Sequence, residues 1–372
     1  MSPGQAATKT LAVPSSVVVI GGGIVALATA WLLQCRGHRV RLIAPDADGP
    51  HPQESRSGSA AALGVLMAQV FQRSRGRAWR LRQTSLSLWT QWRQELSGRG
   101  CPIPFQAGLL LLARHTGDAE RLRQLLEERQ ALGLPLSWWE PSRLQDLGLG
   151  DAESSLGGLH SAQDGQLNPL AAMDAFRRDG LQQGLELVSD LVVGLERQPT
   201  GWRVHGLSAA QAMEAEWVVV AAGLASEGLL APLGHQRPHQ PVLGQCLELA
   251  TSVPIRWPCP VVWQGLNLVP RPGGGLWLGA TLEPGDHADP QLLEPMRQLA
   301  GEAPGCGWLR EAEVIRRWQG LRARPIGRPA PLLEHLEPGL LLLCGHYRNG
   351  VLLAPASAQW AVEQIESSLT CR

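Results

Sequence analysis

The apolar residues near the start of the chain form one long run that glycines interrupt. Residues 17–20 (VVVI) are all β-branched, which predicts a strand buried on both faces of a sheet. Three glycines follow at positions 21–23, and apolar residues over 24–33 predict a helix. A second short strand is predicted over 40–43. Strand, glycine turn, helix and strand make a βαβ unit, the setting in which such glycines indicate dinucleotide binding.

Later segments predict further elements of both kinds. Helices are predicted over 79–96, 118–132, 169–184, 290–303 and 351–368. Strands are predicted over 185–196, 202–207, 217–223 and 339–344, a strand pair with a glycine turn over 103–114, and proline-rich β-structure over 235–283. The glycine-rich stretch 156–166 is predicted to be turn-like.

The order of these segments predicts an α/β fold in two domains, as expected for 372 residues. Buried strands occur at the start, near 217 and near 339, and the proline-rich β segment lies between the last two. The nucleotide domain is therefore expected to be discontinuous, with a second domain inserted into it. The predicted boundaries are 15–90, 155–234 and 318–368 for the nucleotide domain, and 91–154 and 235–317 for the other.

The glycine turn has a specific chemistry. Gly21 permits the tight turn, Gly23 lets the backbone approach a pyrophosphate, and Ala26 keeps the helix close to the strand. The helix N-terminus offers free N–H groups to an anion. The acid expected at the end of the second strand, where it would bind the adenosine ribose, is replaced by Ala44, and Asp46 lies two residues further on. A packing turn without ligand stays open as an alternative, whereas the three glycines argue against a membrane span or signal peptide.

Composition and charge narrow the class of protein. Basic and acidic residues balance at 33 each, so nothing favours a nucleic-acid or anionic-membrane surface. Seven cysteines are scattered singly, without metal-like spacing to histidine, which predicts free thiols, a reducing compartment and no metal. We therefore expect a cytoplasmic protein without a membrane segment. Homo-oligomerisation is left open.

Two further features suggest a ligand site. The run of small residues within 57–71 means that some other group approaches the backbone closely, although a tightly packed helix start would look the same. Residues 316–331 contain five arginines and no acid. Arg322 in this stretch and Arg348 further on each lie beside a glycine turn, and a guanidinium there needs an anionic partner. Each one alone is typical of a structural ion pair; beside a nucleotide unit, the two suggest a substrate with a carboxylate.

These motifs, in this order, resemble a known family. GGGIVALATA, SAAALGVLMA, WVVVAAGLAS, GQCLEL, LVPRPGGGLWLGATL, WQGLR and GHYRNGVLLAPA occur along residues 15–368. The chain resembles the FAD-dependent amino-acid oxidases of the D-amino-acid oxidase superfamily, and within it the glycine oxidase family of thiamine synthesis. The resemblance implies a Rossmann-type, glutathione-reductase-like FAD-binding domain, discontinuous, with an inserted antiparallel-sheet substrate domain.

The resemblance also implies a set of site residues. The implied catalytic and substrate-binding residues share a place near the substrate carboxylate; they are Arg322, Arg348, Asn267 and Tyr347. The implied contacts of a non-covalent FAD come from five segments; they are Gly21, Gly23, Ile24, Val25, Ala26, Arg56, Ser59, Ala61, Ala62, Gly64, Leu66, Val192, Ala222, Gly223, His346, Arg348, Asn349, Gly350, Val351 and Leu352. Asn267 stands where the family has an active-site tyrosine, and Ala44 where it has the ribose-binding glutamate.

The implied reaction is oxidation of glycine or another small amino acid. The resemblance implies hydride transfer from the α-carbon to FAD, reoxidation by molecular oxygen to peroxide, and hydrolysis of the imino acid to oxo acid and ammonia. Three other functions stay open: a D-amino-acid or sarcosine dehydrogenase with another electron acceptor, a flavoprotein without catalysis, and, least favoured, a nicotinamide-dependent dehydrogenase.

Overall fold

A computed structural model of the chain describes residues 14–47, 56–150, 155–208, 212–251 and 253–370. The strands in these ranges are β1 (Ser16–Ile20), β2 (Arg39–Ala44), β3 (Val65–Leu66), β4 (Phe105–Leu112), β5 (Leu136–Trp139), β6 (Gly158–Leu167), β7 (Glu186–Ser189), β8 (Val192–Gln198), β9 (Gly201–Gly206), β10 (Met213–Ala215), β11 (Trp217–Val220), β12 (His239–Leu249), β13 (Val261–Trp263), β14 (Leu266–Pro270), β15 (Leu276–Gly279), β16 (Glu283–Pro284), β17 (Val314–Pro325), β18 (Leu332–Glu337) and β19 (Leu340–Cys344). The helices are α1 (Ile24–Cys35), α2 (Gly76–Gly98), α3 (Thr116–Gln130), α4 (Pro141–Asp146), α5 (Pro169–Gln182), α6 (Ser226–Leu230), α7 (Leu293–Ala300) and α8 (Gly350–Thr370).

The predicted βαβ unit forms the centre of a six-stranded sheet with the order β18-β19-β11-β1-β2-β7. Strand β1 is parallel to both β2 and β11, and β19 is parallel to β11. Helices α1, α2, α5 and α8 bury one apolar cluster against this sheet. Because parallel strands end at the same edge, the turns after β1, β2, β11 and β19 meet there.

A ten-stranded, largely antiparallel sheet forms the second layer. Its order is β16-β12-β15-β14-β13-β4-β6-β3, with β17 paired to β12 and β5 to β6. Strands β8, β9 and β10 form a separate small sheet. Strands β3, β6 and β17 belong to the large sheet, although β2, β7 and β18 beside them in the chain belong to the six-stranded sheet, so sheet membership by itself draws no domain boundary. The boundaries given above stay predictions.

Two local predictions were wrong. Residues 103–114 form the single strand β4 rather than a strand pair, because Gly108 (φ 93°) is taken up as a bulge opposite β6. Residues 156–166 contribute to the long strand β6 rather than a turn. Its glycines are required by close packing: a methyl group at Gly165 would collide with the Gln106 carbonyl, and one at Gly158 would lie 2.8 Å from the Leu111 carbonyl oxygen.

The α/β fold expected from the pattern is confirmed. Within the part of the chain that the structure describes, no helix has both the length and the apolar character needed to cross a membrane.

Candidate cofactor and substrate site

The turn after β1 is built around two glycines with different tasks. Gly21 adopts φ 131°, and a methyl group there would lie 2.5 Å from the carbonyl oxygen of Ala221, at the end of the neighbouring strand. Its N–H donates to Ile43 O at 2.9 Å. Gly23 precedes α1, and a methyl group there would lie 3.0 Å from Ser59 Oγ. A side chain is therefore excluded at Gly21, whereas at Gly23 even a methyl group would press on the Ser59 hydroxyl.

The N-terminus of α1 is suited to an anion. The residue that precedes the helix supplies no side-chain cap, and the first turn contains no acidic residue. Ile24 N donates to the side chain of Ser59, with Oγ at 3.1 Å. The helix dipole and the small residues around it form a cradle of the kind that binds the pyrophosphate of a dinucleotide. The pattern of the predicted cofactor residues Gly21 to Ala26 fits this role.

Ala44, the last residue of β2, is buried and only 3 % exposed. Its carbonyl accepts from Ala47 N at 3.2 Å and Asp190 N at 3.1 Å. Asp46 lies exposed in the turn that follows. The buried Asp190, which sequence reasoning missed, accepts from the backbone of Leu191 at 2.8 Å. The sequence feature that could have identified Asp190 is an acidic residue directly after β7, the strand next to β2.

The run of small residues lies against β17. A methyl group at Gly58 would lie 2.5 Å from the Leu321 carbonyl oxygen, and one at Gly320 would lie 2.5 Å from the Ala61 side chain. Trp318 Nε1 donates to Ala61 O at 3.0 Å. The group that approaches this backbone is therefore a strand of the large sheet, which the sequence did not identify.

The other predicted cofactor residues occur at the edge where the parallel strands end. Gly223 follows β11, and its carbonyl accepts from the Cys344 thiol at 3.1 Å. Val192 begins β8, close to the end of β2. Asn349 accepts from the buried Arg82 at 3.0 Å, which fixes the turn before α8.

His346 is held neutral in this turn. Burial lowers the pKa of its imidazole to about 3, and Nε2 lies 2.8 Å from Ser357 Oγ in α8. The carbonyls of Val351 and Leu352, in the first turn of α8, accept from Trp89 Nε1 at 3.1 and 3.2 Å. The segment 346–352 is thus rigidly placed by contacts with the helices behind it.

Arg322 has an unusual environment on β17. Its Nη1 donates to the carbonyls of Leu243 at 3.1 Å and Thr281 at 3.2 Å. Its guanidinium lies on Gly244, where a methyl group would come well within 3.0 Å of Cζ, Nη1 and Nη2. Burial lowers the pKa of Arg322, and the nearby Arg348 adds to the effect. Over the described ranges, no carboxylate forms an ion pair with Arg322, and Nη2 makes no hydrogen bond there.

A buried carboxylate supports this arrangement without pairing to the arginine. Glu283 is 5 % exposed and accepts from Gln245 Nε2 at 3.0 Å, Asp289 N at 2.8 Å and the Thr281 hydroxyl. These bonds fix the residues around the Thr281 carbonyl that holds Arg322. The sequence does not single out Gly244 or Glu283 as site residues. The one feature that points to Gly244 is that it is a glycine within a predicted strand.

The structure brings Arg348 and Tyr347 near Arg322, and leaves Asn267 further away. Arg348 is exposed and Tyr347 partly buried, and both influence the pKa of Arg322. Asn267 is on β14, and β15 and β12 separate it from β17, a span of about 14 Å at ordinary strand spacing. Its Nδ2 donates to Gly279 O at 3.4 Å, and its buried Oδ1 has no partner among the described residues.

The described residues contain no group of three or more side chains arranged to bind a metal. A glycine turn at a helix N-terminus and four strand-end turns at one edge define a nucleotide-binding protein, and Arg322 near them has no carboxylate partner among the described residues. Residues 16–364 match the family described as FAD dependent oxidoreductase, the DAO family. The chain belongs to this family, whose cofactor is FAD, and it is an enzyme of this type.

Within the family, the chain is similar to glycine oxidases. It is 28% identical over 356 residues to glycine oxidase of Bacillus licheniformis, covering 94% of this chain and 92% of the relative. It is 30% identical over 353 residues to the bifunctional protein ThiO/ThiG of Nostoc sp., covering 92% of this chain and 51% of the relative. The crystal structure of glycine oxidase from Geobacillus kaustophilus superposes with a TM-score of 0.83 at 26% identity, covering 95% of both chains.

Proposed function

We propose that the protein catalyses the FAD-dependent oxidative deamination of glycine or another small amino acid. The observation that carries the proposal is Arg322, whose guanidinium is fixed by two carbonyls and has no carboxylate partner among the described residues. It lies on the same strand as Gly320, which packs against the small-residue run. A fixed, partly buried guanidinium is suited to a substrate carboxylate, which it binds through two parallel hydrogen bonds.

The chain's own residues would orient the substrate. Arg322, with Arg348 beside it, binds the α-carboxylate and so fixes the direction of the α-carbon, while the amine binds in its neutral form. FAD held there would supply the acceptor for the α-hydrogen as a hydride, and molecular oxygen would take up the two electrons as hydrogen peroxide. Water then adds to the imino acid, which releases ammonia and leaves the oxo acid.

The cofactor would be held without a covalent bond. Gly21, Gly23 and Ala26 suit the pyrophosphate, Ser59 lies beside it, and residues 346–352 suit the flavin ring. No histidine or cysteine of the sequence lies in a recognisable flavin-linking context. Acid precipitation should release the yellow colour into the supernatant, and colour retained in the pellet would contradict this assignment.

A role in supplying thiamine thiazole synthesis forms part of the proposal. It is supported by the similarity to bifunctional ThiO/ThiG proteins, in which this chain matches about half of the relative's length. Growth of a deletion strain without thiamine, with and without the gene, tests this role separately from the chemistry.

Arg322→Ala tests the chemistry. Removing one partner of a desolvated charge pair costs roughly 2–5 kcal/mol, so kcat/KM on glycine should fall by tens- to thousands-fold while flavin content is unchanged. Arg317→Ala, an exposed arginine on the opposite face of the same strand, is the matched control. Peroxide release distinguishes an oxidase from a dehydrogenase that passes electrons to another acceptor. Equal activity of Arg322→Ala and the control would make the arginine structural.

A further inference from the structure

The face of β17 that carries Arg322 carries a second arginine. Alternate residues of a strand point to one side, so Trp318, Gly320, Arg322 and Arg324 share a face. Gly320 on this face is covered by Ala61 of the small-residue run. Arg322 and Arg324 therefore continue from the covered part of the strand toward solvent, and Arg324 is exposed. Their Cα atoms are roughly 7 Å apart at the ordinary strand rise.

These charges are not balanced by the protein. Over residues 14–47, 56–150, 155–208, 212–251 and 253–370, no carboxylate forms an ion pair with Arg322, Arg324 or Arg348. Some other arginines near this region do have such partners, for example Arg328 with Glu334 at 3.2 Å. The charge of Glu283 acts on the pKa of Arg322, but the oxygens of Glu283 already accept from three other groups. A monocarboxylate neutralises only one of the three guanidinium groups.

Arg324 is also held in place. Its Cζ lies 5.7 Å from the centre of the Tyr347 ring, within the range of a cation–π contact. Tyr347 has φ 54°, a left-handed backbone conformation that costs a non-glycine residue free energy. The same ring is close enough to Arg322 to influence its pKa. Tyr347 thus lies near both Arg322 and Arg324, and it has its strained backbone conformation at this position.

We infer that this site is specific for amino acids with a second anionic group, such as aspartate or glutamate. The inference rests on the proposed function and refines its substrate class. Arg322 binds the α-carboxylate, and Arg324, steadied by Tyr347, binds the carboxylate of the side chain. Arg348 is exposed beside both and contributes to the positive potential that attracts a dianion.

Pairs of substrates that differ only in charge test the inference. The holoenzyme is mixed anaerobically with aspartate or asparagine, in both enantiomers, and with glycine, and flavin bleaching is followed. Aspartate should exceed asparagine in kcat/KM by about two- to fivefold, the ratio expected for one exposed ion pair. Arg324→Gln should reduce this ratio to about one. Arg317→Gln, the same change on the opposite face, should keep it.

The outcomes separate this inference from the proposed function. If glycine bleaches the flavin and aspartate has no advantage over asparagine, the inference is overturned and the proposed function stands. An advantage that survives Arg324→Gln overturns the assignment of that residue. If no amino acid bleaches the flavin, the proposed function fails. The charge preference is then decided by calorimetry: tighter binding of succinate than of its monoamide supports it, and equal binding overturns it. Added salt should lower the ratio of kcat/KM for aspartate to that for asparagine, because salt screens exposed charges.

Discussion

Replacing Gly244 by alanine should disable the substrate arginine without unfolding the protein. A methyl group there would come within 3.0 Å of three guanidinium atoms of Arg322, whereas carbon contacts are normally about 3.5–4.0 Å. The guanidinium must therefore retreat by roughly 1 Å. Its hydrogen bonds to Leu243 and Thr281, at 3.1 and 3.2 Å, leave no slack for such a shift. The obstructed group is the end of a long side chain, so the sheet itself should tolerate the change.

The expected loss is large. A displacement of about 1 Å in a positioning group can reduce turnover by about 100-fold. We therefore expect kcat/KM of Gly244→Ala on glycine to fall by about that factor, with flavin content and thermal midpoint near those of the unmodified protein. Anaerobic flavin bleaching measures kcat/KM, absorbance measures the flavin content, and thermal unfolding measures the midpoint. Gly98→Ala, where an added methyl group meets nothing within 4 Å, is the control.

A double-mutant comparison shows whether the effect passes through Arg322. In an Arg322→Ala background the added methyl group meets no guanidinium, so Gly244→Ala should then have no further effect. An equal loss in both backgrounds would mean that the strand itself is distorted. A loss below about threefold in the single variant would show that the guanidinium adapts, and the reasoning would be refuted.

Four more predictions concern other residues. Glu283→Gln should raise KM for glycine several-fold with a smaller change in kcat, because the carboxylate fixes Thr281, whose carbonyl holds the arginine; an unchanged KM contradicts this positioning role. Asp46→Ala should weaken FAD binding by roughly 10- to 100-fold in a fluorescence titration if that exposed acid binds the ribose, since a bond to a charged group contributes about 1.5–3 kcal/mol. Ala44→Glu should lower the thermal midpoint instead of tightening FAD, because residue 44 is 3 % exposed. Burial lowers the pKa of His346 to about 3, so below pH 6.5 the unfolded chain binds a proton that the folded protein does not. Stability should fall by about 2 kcal/mol between pH 6.5 and 5, and urea unfolding of His346→Gln should show a correspondingly weaker loss.

Some parts of this site follow from neighbouring residues alone. The β-branched run, the glycines and the apolar helix that follow one another over 17–33 define the βαβ unit, because each element depends on side chains a few positions apart. The same holds for the unbroken strands 217–220 and 340–344. Motifs around Arg322 and Arg348 carry the family resemblance, which the match over residues 16–364 confirms.

Other parts depend on contacts between distant segments. Gly158 and Gly165 read as turn residues, yet they allow β6 to approach β4, since the neighbouring strand leaves no room for a side chain. Such crowding is invisible in a single sequence, where a glycine in a turn and a glycine under a neighbouring backbone look alike.

The sequence by itself determined the nucleotide-binding unit and the family, and the resemblance it carries led to the proposal that Arg322 binds the substrate. The tertiary structure decided what surrounds that arginine: Gly244 beneath it, the Glu283 network beside it, and Arg324 with Tyr347 further along the strand. Gly244 lies 78 residues before Arg322 in the chain, and the pairing of β12 with β17 brings it under the guanidinium, while the pairing of β16 with β12 brings Glu283 close. Local propensity sets where a strand forms, whereas the charge balance of a site depends on which strands pair, and only the folded chain specifies that pairing.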